Sequence, residues 1–148
     1  MSLGEDSRED DDFTDRRRGA QAARILVAED DPQLRDLVTR RLASEGYEVR
    51  EAASGTELVQ TLQTITSQSW PLDALDLLVL DNFMPGVTGL DVMRRLRHAR
   101  WLTPAILITA FPDDVVRREA HALGVVVLAK PFTLDLLSRA VGHALGPG

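Results

Sequence analysis

The chain has 148 residues, enough for one α/β domain with a full core and too few for two of ordinary size. Its composition, 44% hydrophobic and 27% charged, is that of a globular protein, and no uninterrupted apolar stretch approaches the roughly 18–20 residues that span a bilayer. The net charge of −6 argues against coating nucleic acid through its phosphates, and the absence of cysteine removes disulfides, thiol nucleophiles and cysteine-ligated metals.

Residues Met1 to Arg24 carry seven acids, five arginines and only three large apolar side chains, too little burial to offset the entropy of ordering. Residues 1–23 are therefore expected to form a flexible acidic tail or linker, and 24–148 the folded domain. The start, Met1-Ser2-Leu3 followed by acids, lacks the apolar core of a secretory signal. A cytoplasmic setting, with no membrane and no direct nucleic-acid partner, is the expectation.

From Arg24 onward, short apolar runs alternate with helical periodicity. Ile25–Ala28, Leu77–Leu80, Ala105–Ile108 and Val125–Ala129 are continuous apolar runs, as expected of strands covered on both faces. Tyr47–Arg50 alternates, which suits an edge strand. Between them lie five apolar stripes at helical spacing. They are Leu34, Leu37, Val38 and Leu42; then Leu58, Val59, Leu62 and Ile65; then Leu90, Met93 and Leu96; then Val115, Val116, Ala120 and Leu123; and last Leu134, Leu137, Val141 and Leu145. Asp31 before Pro32 reads as an N-cap, Gly46 as a helix stop and Ser54-Gly55-Thr56-Glu57 as a capping box. Gln63 to Asp76, containing Trp70-Pro71, reads as a long polar loop. Five strands alternating with five helices imply a doubly wound parallel sheet.

In such a sheet the ligand crevice lies at the carboxyl ends of the strands. Those ends hold Glu29-Asp30-Asp31, Asp81, Thr109 and Lys130-Pro131. Of 17 basic residues, Lys130 alone is lysine, so a cation of that particular shape is indicated at this rim. Two carboxylates about 4 Å apart repel by roughly 4 kcal/mol at an effective dielectric of about 20. Gathering Glu29, Asp30 and Asp81 therefore calls for a compensating charge. Mg²⁺ suits an all-oxygen donor set, whereas Zn²⁺ would favour cysteine or clustered histidine. His98, His121 and His143 fall on separate predicted helices and read as surface residues. A carboxylate ringed by metal, lysine and hydroxyl is suited to phosphoryl transfer through an aspartyl phosphate. Asp31, placed before Pro32, reads as a cap and not as a further ligand.

With these residues the chain from about Arg24 to Leu145 resembles the receiver domain of bacterial two-component response regulators, of the chemotaxis-regulator type. The resemblance rests on Ile25–Asp31, on Leu80-Asp81-Asn82-Phe83-Met84-Pro85-Gly86 with Gly89, on Ile108-Thr109-Ala110 and on Lys130-Pro131-Phe132. It implies a flavodoxin-like fold of strand order 2-1-3-4-5, with Asp81 as phosphoacceptor and Thr109 and Lys130 contacting the phosphoryl group. It further implies Mg²⁺ held by Asp30 and Asp81, with Glu29 assisting and the backbone carbonyl of Phe83 completing the set. A cis peptide at Lys130-Pro131 is expected on the same ground. The implied partner is a sensor histidine kinase or a histidine phosphotransfer protein, and the domain would catalyse its own phosphorylation and dephosphorylation without being a turnover enzyme. The face formed by the fourth helix, fifth strand and fifth helix would carry the switch, with Arg117, Arg118 and Arg139 available to partners. No output motif follows Leu145, so output is expected from a partner or a parent chain.

The sequence departs from the family where Val127 takes the place of the usual switch aromatic, and the segment Gly124–Lys130 is one residue short. Phe83 and Phe111 set bulky apolar groups beside the site, which should alter the lifetime of the phosphoryl group. Alternatives from other classes are a receiver-like module not regulated by phosphorylation, an aspartyl-phosphate hydrolase of the haloacid dehalogenase type and a flavodoxin-like cofactor binder. The hydrolase is disfavoured because its nucleophile ends the first strand. The cofactor binder is disfavoured because a phosphate after the first strand would face three acids.

Overall fold

The computed structural model describes residues 22–65 and 75–146. Five strands, β1 (Arg24–Ala28), β2 (Glu48–Ala52), β3 (Leu77–Asp81), β4 (Ala105–Thr109) and β5 (Val126–Ala129), form one parallel sheet in the order β2-β1-β3-β4-β5. Five helices alternate with them: α1 (Pro32–Ser44), α2 (Gly55–Ile65), α3 (Gly89–His98), α4 (Asp114–Ala122) and α5 (Leu134–Leu145). The expected order 2-1-3-4-5 and the doubly wound, flavodoxin-like architecture are thus observed.

Alternate strand residues divide the core in two. Ile25, Val27, Leu77, Val79, Ile106 and Ile108 pack under α1 and α5 with Val38, Leu42, Leu137 and Val141. Leu26, Ala28, Leu78, Leu80 and Leu107 pack on the opposite face with Leu58 and Leu62 of α2, Leu90 and Met93 of α3 and Ala120 of α4. β3 and β4 are buried at every position, which is why their sequences are apolar up to the terminal Asp81 and Thr109. Each buried Leu, Ile or Val contributes about 1.5–3 kcal/mol, so the tips of β3 and β4 are anchored in the core.

Local chemistry sets the helix ends. Asp31 caps α1 by accepting the Gln33 N–H, with Pro32 in the first turn, and Gly46 follows the helix at φ +95°. Ser54 Oγ accepts the Glu57 N–H as the capping box requires, but the Glu57 carboxylate reaches back to the Ala53 N–H, one residue before the cap. Other details also differ from the sequence reading. The second strand is Glu48–Ala52, leaving Tyr47 ahead of it, and β5 starts at Val126. Val126 is half exposed because β5 is an edge strand and not one covered on both faces. Leu37 and Val115 belong to the apolar stripes yet are exposed, since a helix lying on a sheet buries a narrower strip than its apolar face. Gln63, read as loop, closes the helical run of α2 with Ile65, whereas Trp70-Pro71 and the tail over residues 1–21 lie outside the described residues.

Candidate functional site

Parallel register carries four strand tips to one rim. Ala28 pairs with Leu80, Asp81 with Ile108 and Thr109 with Ala129, so the residues that follow emerge side by side. Backbone bonds extend the order past the strands: the Asn82 N–H donates to the Ile108 carbonyl at 2.9 Å and the Lys130 N–H to the Thr109 carbonyl at 2.8 Å. The Lys130-Pro131 peptide is cis, as the resemblance led one to expect.

At this rim the Lys130 ammonium lies 2.9 Å from Asp81 Oδ2 and 3.1 Å from Glu29 Oε1. The other oxygens are also engaged. Asp81 Oδ1 accepts the Phe83 N–H at 3.0 Å, and Glu29 Oε2 accepts the Asp31 N–H at 3.0 Å. Thr109 is fully buried, and its hydroxyl oxygen accepts the Phe111 N–H at 3.0 Å. With an acceptor lone pair so used, the single hydroxyl proton remains available to donate. The site therefore joins Glu29, Asp81, Thr109 and Lys130, all from different strands.

Electrostatics follow from burial. Glu29 is almost wholly buried, and desolvation pushes its carboxyl up to about 7; the neighbouring Asp81 adds to the rise, while the Asp31 N–H and Lys130 oppose it. For Lys130, burial alone would favour loss of the proton, but Asp81 and Glu29 outweigh it and raise the ammonium above its ordinary value. The lysine thus supplies part of the compensating charge that the sequence argument assigned to a metal alone.

One positive charge faces three carboxyls. Glu29, Asp30 and Asp81 each present an oxygen, all within 4.8 Å of one another, with Asp30 exposed and the other two buried. Glu29 Oε1 is buried and has no donor aligned for a hydrogen bond despite the nearby ammonium. An all-oxygen cluster with an under-satisfied buried oxygen fits a hard divalent cation such as Mg²⁺. Asp31 is not in this cluster and caps α1, and His98, His121 and His143 are exposed on three different helices, both as read from the sequence.

Two positioning residues were missed. Asn82 is buried; its Oδ1 accepts the Leu90 N–H at 3.0 Å and its carbonyl accepts the Gly89 N–H, so it ties the end of β3 to the start of α3. Asn82 stands well ahead of α3, whose N-cap is Thr88, so no local capping pattern marks it in the sequence. Arg35 donates to the Glu29 carbonyl at 2.9 Å and pairs with Glu51 at 3.2 Å, a long-range link with no sequence signature. Gly89 admits no side chain, since a Cβ there would lie 2.7 Å from the Asp81 carbonyl oxygen and 2.8 Å from Leu107 Cδ1.

The sequence matches the response regulator receiver domain over residues 25–142. It is 41% identical over 120 residues to the response regulator protein PmrA of Pseudomonas aeruginosa, covering 80% of this chain and 50% of that protein. It is 37% identical over 117 residues to the transcriptional regulatory protein TcrA of Mycobacterium tuberculosis, covering 77% and 42%. The chain thus spans about half the length of the curated relatives it matches. Among solved structures, the chemotaxis response regulator CheY4 of Vibrio cholerae superposes with a TM-score of 0.71 at 26% identity, covering 84% of this chain and 99% of that one. The receiver domain of the Francisella response regulator 1452 gives a TM-score of 0.70 at 26% identity, covering 83% and 96%.

Proposed function

Since the chain belongs to the response regulator receiver family of two-component signalling, we propose that Asp81 is its phosphoacceptor, loaded from a phosphohistidine on a sensor histidine kinase or histidine phosphotransfer protein. The observation that carries this reading is the placement of the Lys130 ammonium 2.9 Å from Asp81 Oδ2, with the Thr109 hydroxyl on the adjoining strand tip.

Each residue has a task in that reaction. The Phe83 N–H fixes the Asp81 carboxylate by Oδ1, so the carboxylate is oriented before a donor arrives. Lys130 places a compact positive charge where negative charge on the transferring phosphoryl group must be met, and its partial exposure lets it shift from carboxylate to phosphoryl oxygen. Thr109, held through the Phe111 N–H, keeps its proton for another phosphoryl oxygen. Asp30, Asp81 and Glu29, with the Phe83 carbonyl, are the residues that would hold Mg²⁺. When bound, that ion neutralises charge on the transferring group.

Modification of Asp81 would then bias the face made by α4, β5 and α5. Arg117, Arg118 and Arg139 are exposed there and suit partner contacts. Val127, half-buried against the core beside α4, stands where the family's aromatic would couple to Thr109, so this chain has no aromatic switch at that position. A cytoplasmic location, a folded domain over 24–148 and an acidic linker over 1–23 belong to the same reading. No described helix is long and apolar enough to cross a membrane.

The test is intact mass after treatment with a small phosphodonor and Mg²⁺. One phosphoryl group should be gained by the native chain and none by Asp81→Asn. Undiminished gain in Asp81→Asn would contradict the assignment.

A further inference from the structure

Helix α4 is held from one end. Among the described residues it buries Ala120 alone, with Val116 and the following Leu123 half-buried against the core, whereas α1 buries Val38 and Leu42 and α5 buries Leu137 and Val141. Its C-terminal half is fastened by two arginines one turn apart on α3. Arg94 Nη2 lies 2.8 Å from Glu119 Oε1, and Arg97 donates from Nε to the Leu123 carbonyl at 2.8 Å. The same Arg97 donates from Nη1 to the Trp101 and Thr103 carbonyls, both at 2.9 Å. One half-buried guanidinium thus ties the end of α4 to the loop before β4, and its fork spans three carbonyls that a lysine ammonium could not reach together.

The polar contacts of the N-terminal half are local. Asp113 Oδ1 accepts the Val116 N–H at 2.9 Å, Arg117 Nε donates to the Pro112 carbonyl at 3.0 Å, and Asp114, Val115, Arg117 and Arg118 are exposed. A run of hydrogen bonds joins this half to the site. Thr109 Oγ1 accepts the Phe111 N–H, the Phe111 carbonyl accepts the Asp113 N–H at 2.9 Å, and Asp113 caps the helix. Resting on Asp81 as the acceptor, we propose that Arg94 and Arg97 form a pivot for α4, which holds Glu119–Leu123 still and confines the response to Asp81 modification to Asp114–Arg118. A phosphoryl oxygen that draws the Thr109 hydroxyl pulls on the first turn through that run. The lightly packed turn then shifts or opens more readily than the clamped half.

The probe is beryllofluoride with Mg²⁺, a non-covalent stand-in for the phosphoryl group on Asp81. Amide hydrogen exchange of the full chain is read residue by residue by NMR, with and without the probe, for the native protein, Arg97→Lys, Arg94→Gln and Glu119→Gln. In the native protein the probe should change exchange about tenfold at Val116–Arg118 and less than about twofold at Ala120–Leu123. In Arg97→Lys the change should spread to Ala120–Leu123 at about tenfold. In Arg94→Gln and Glu119→Gln it should spread at about threefold, since an exposed ion pair holds less than shielded carbonyl bonds. A variant that merely loosens the fold changes both arms alike, so the comparison within each protein isolates the pivot. Glu119→Gln, a surface change, keeps the test open if Arg97→Lys fails to fold. A native response spread evenly along α4, or one that stays confined in every variant, overturns the proposal, as does a response at Asn82 and Lys130 with none in α4. No response at Asn82, Lys130 or α4 instead overturns the assignment of Asp81 as acceptor, on which the proposal rests.

Discussion

Lys130 Nζ lies 2.9 Å from Asp81 Oδ2, a contact between the tips of two strands that are not neighbours in the sheet. The same nitrogen is 3.1 Å from Glu29, so one flexible ammonium offsets two buried carboxyls. Lys130→Ala should destabilise the protein by about 2 kcal/mol, at the low end for a broken buried pair because the lysine is partly exposed. Lys130→Arg keeps the charge but brings a broad planar fork, and should phosphorylate at least tenfold more slowly while losing less stability. Chemical denaturation and phosphodonor labelling measure the two effects separately.

Glu29 sets a pH dependence of the metal-free protein. Burial lifts its carboxyl to about 7 from an ordinary value of 4.5, with Asp81 adding to the rise. The folded state thus keeps a proton that the unfolded chain releases, and stability should fall as pH rises from about 4.5 to 7 and level off above. Replacing Asp81 by Asn removes one cause of the rise, so the Glu29 midpoint should move down in a carboxyl NMR titration.

Removing metal should cost stability in a measurable way. At tenfold excess over Kd, Mg²⁺ should add about 1.4 kcal/mol. That corresponds to a rise in Tm of about 4 °C for a domain of this size. Chelation should reverse the rise, and Asp30→Asn should abolish it, as followed by thermal unfolding with and without millimolar Mg²⁺.

Two glycines separate site from scaffold. Gly89→Ala would drive a Cβ to 2.7 Å from the Asp81 carbonyl oxygen and 2.8 Å from Leu107, and should cost about 1–3 kcal/mol and slow phosphorylation. Gly142, within α5, has nothing within 4 Å of an added Cβ, so Gly142→Ala should stabilise by about 0.5–1 kcal/mol and leave labelling unchanged.

Much of this molecule can be read from residue order, for identifiable reasons. β1, β3 and β4 are covered on both faces, which forces uninterrupted apolar runs and makes their ends, and hence Glu29, Asp30, Asp81 and Thr109, easy to place. The caps at Asp31 and Ser54 are local chemistry and equally legible. What escaped depends on separations that periodicity does not encode. The exposure of Leu37 and Val115 depends on how each helix lies on the sheet, and that of Val126 on β5 being an edge. The Phe83–Phe111 contact arises only where the segments after β3 and β4 meet, and the Arg35–Glu51 pair only where α1 meets β2. The role of Lys130 in neutralising Glu29 depends likewise on strand order, which places three tips around one ammonium.

The central claim, that Asp81 carries the phosphoryl group, is tested most directly by trapping the acyl phosphate. Borohydride reduces an aspartyl phosphate to homoserine, so peptide mapping of the reduced, phosphorylated protein reads the acceptor position itself. Homoserine at position 81 alone is the expected result. Homoserine at position 30, or a phosphoryl group that resists borohydride because it sits on a hydroxyl or a histidine, would contradict the account.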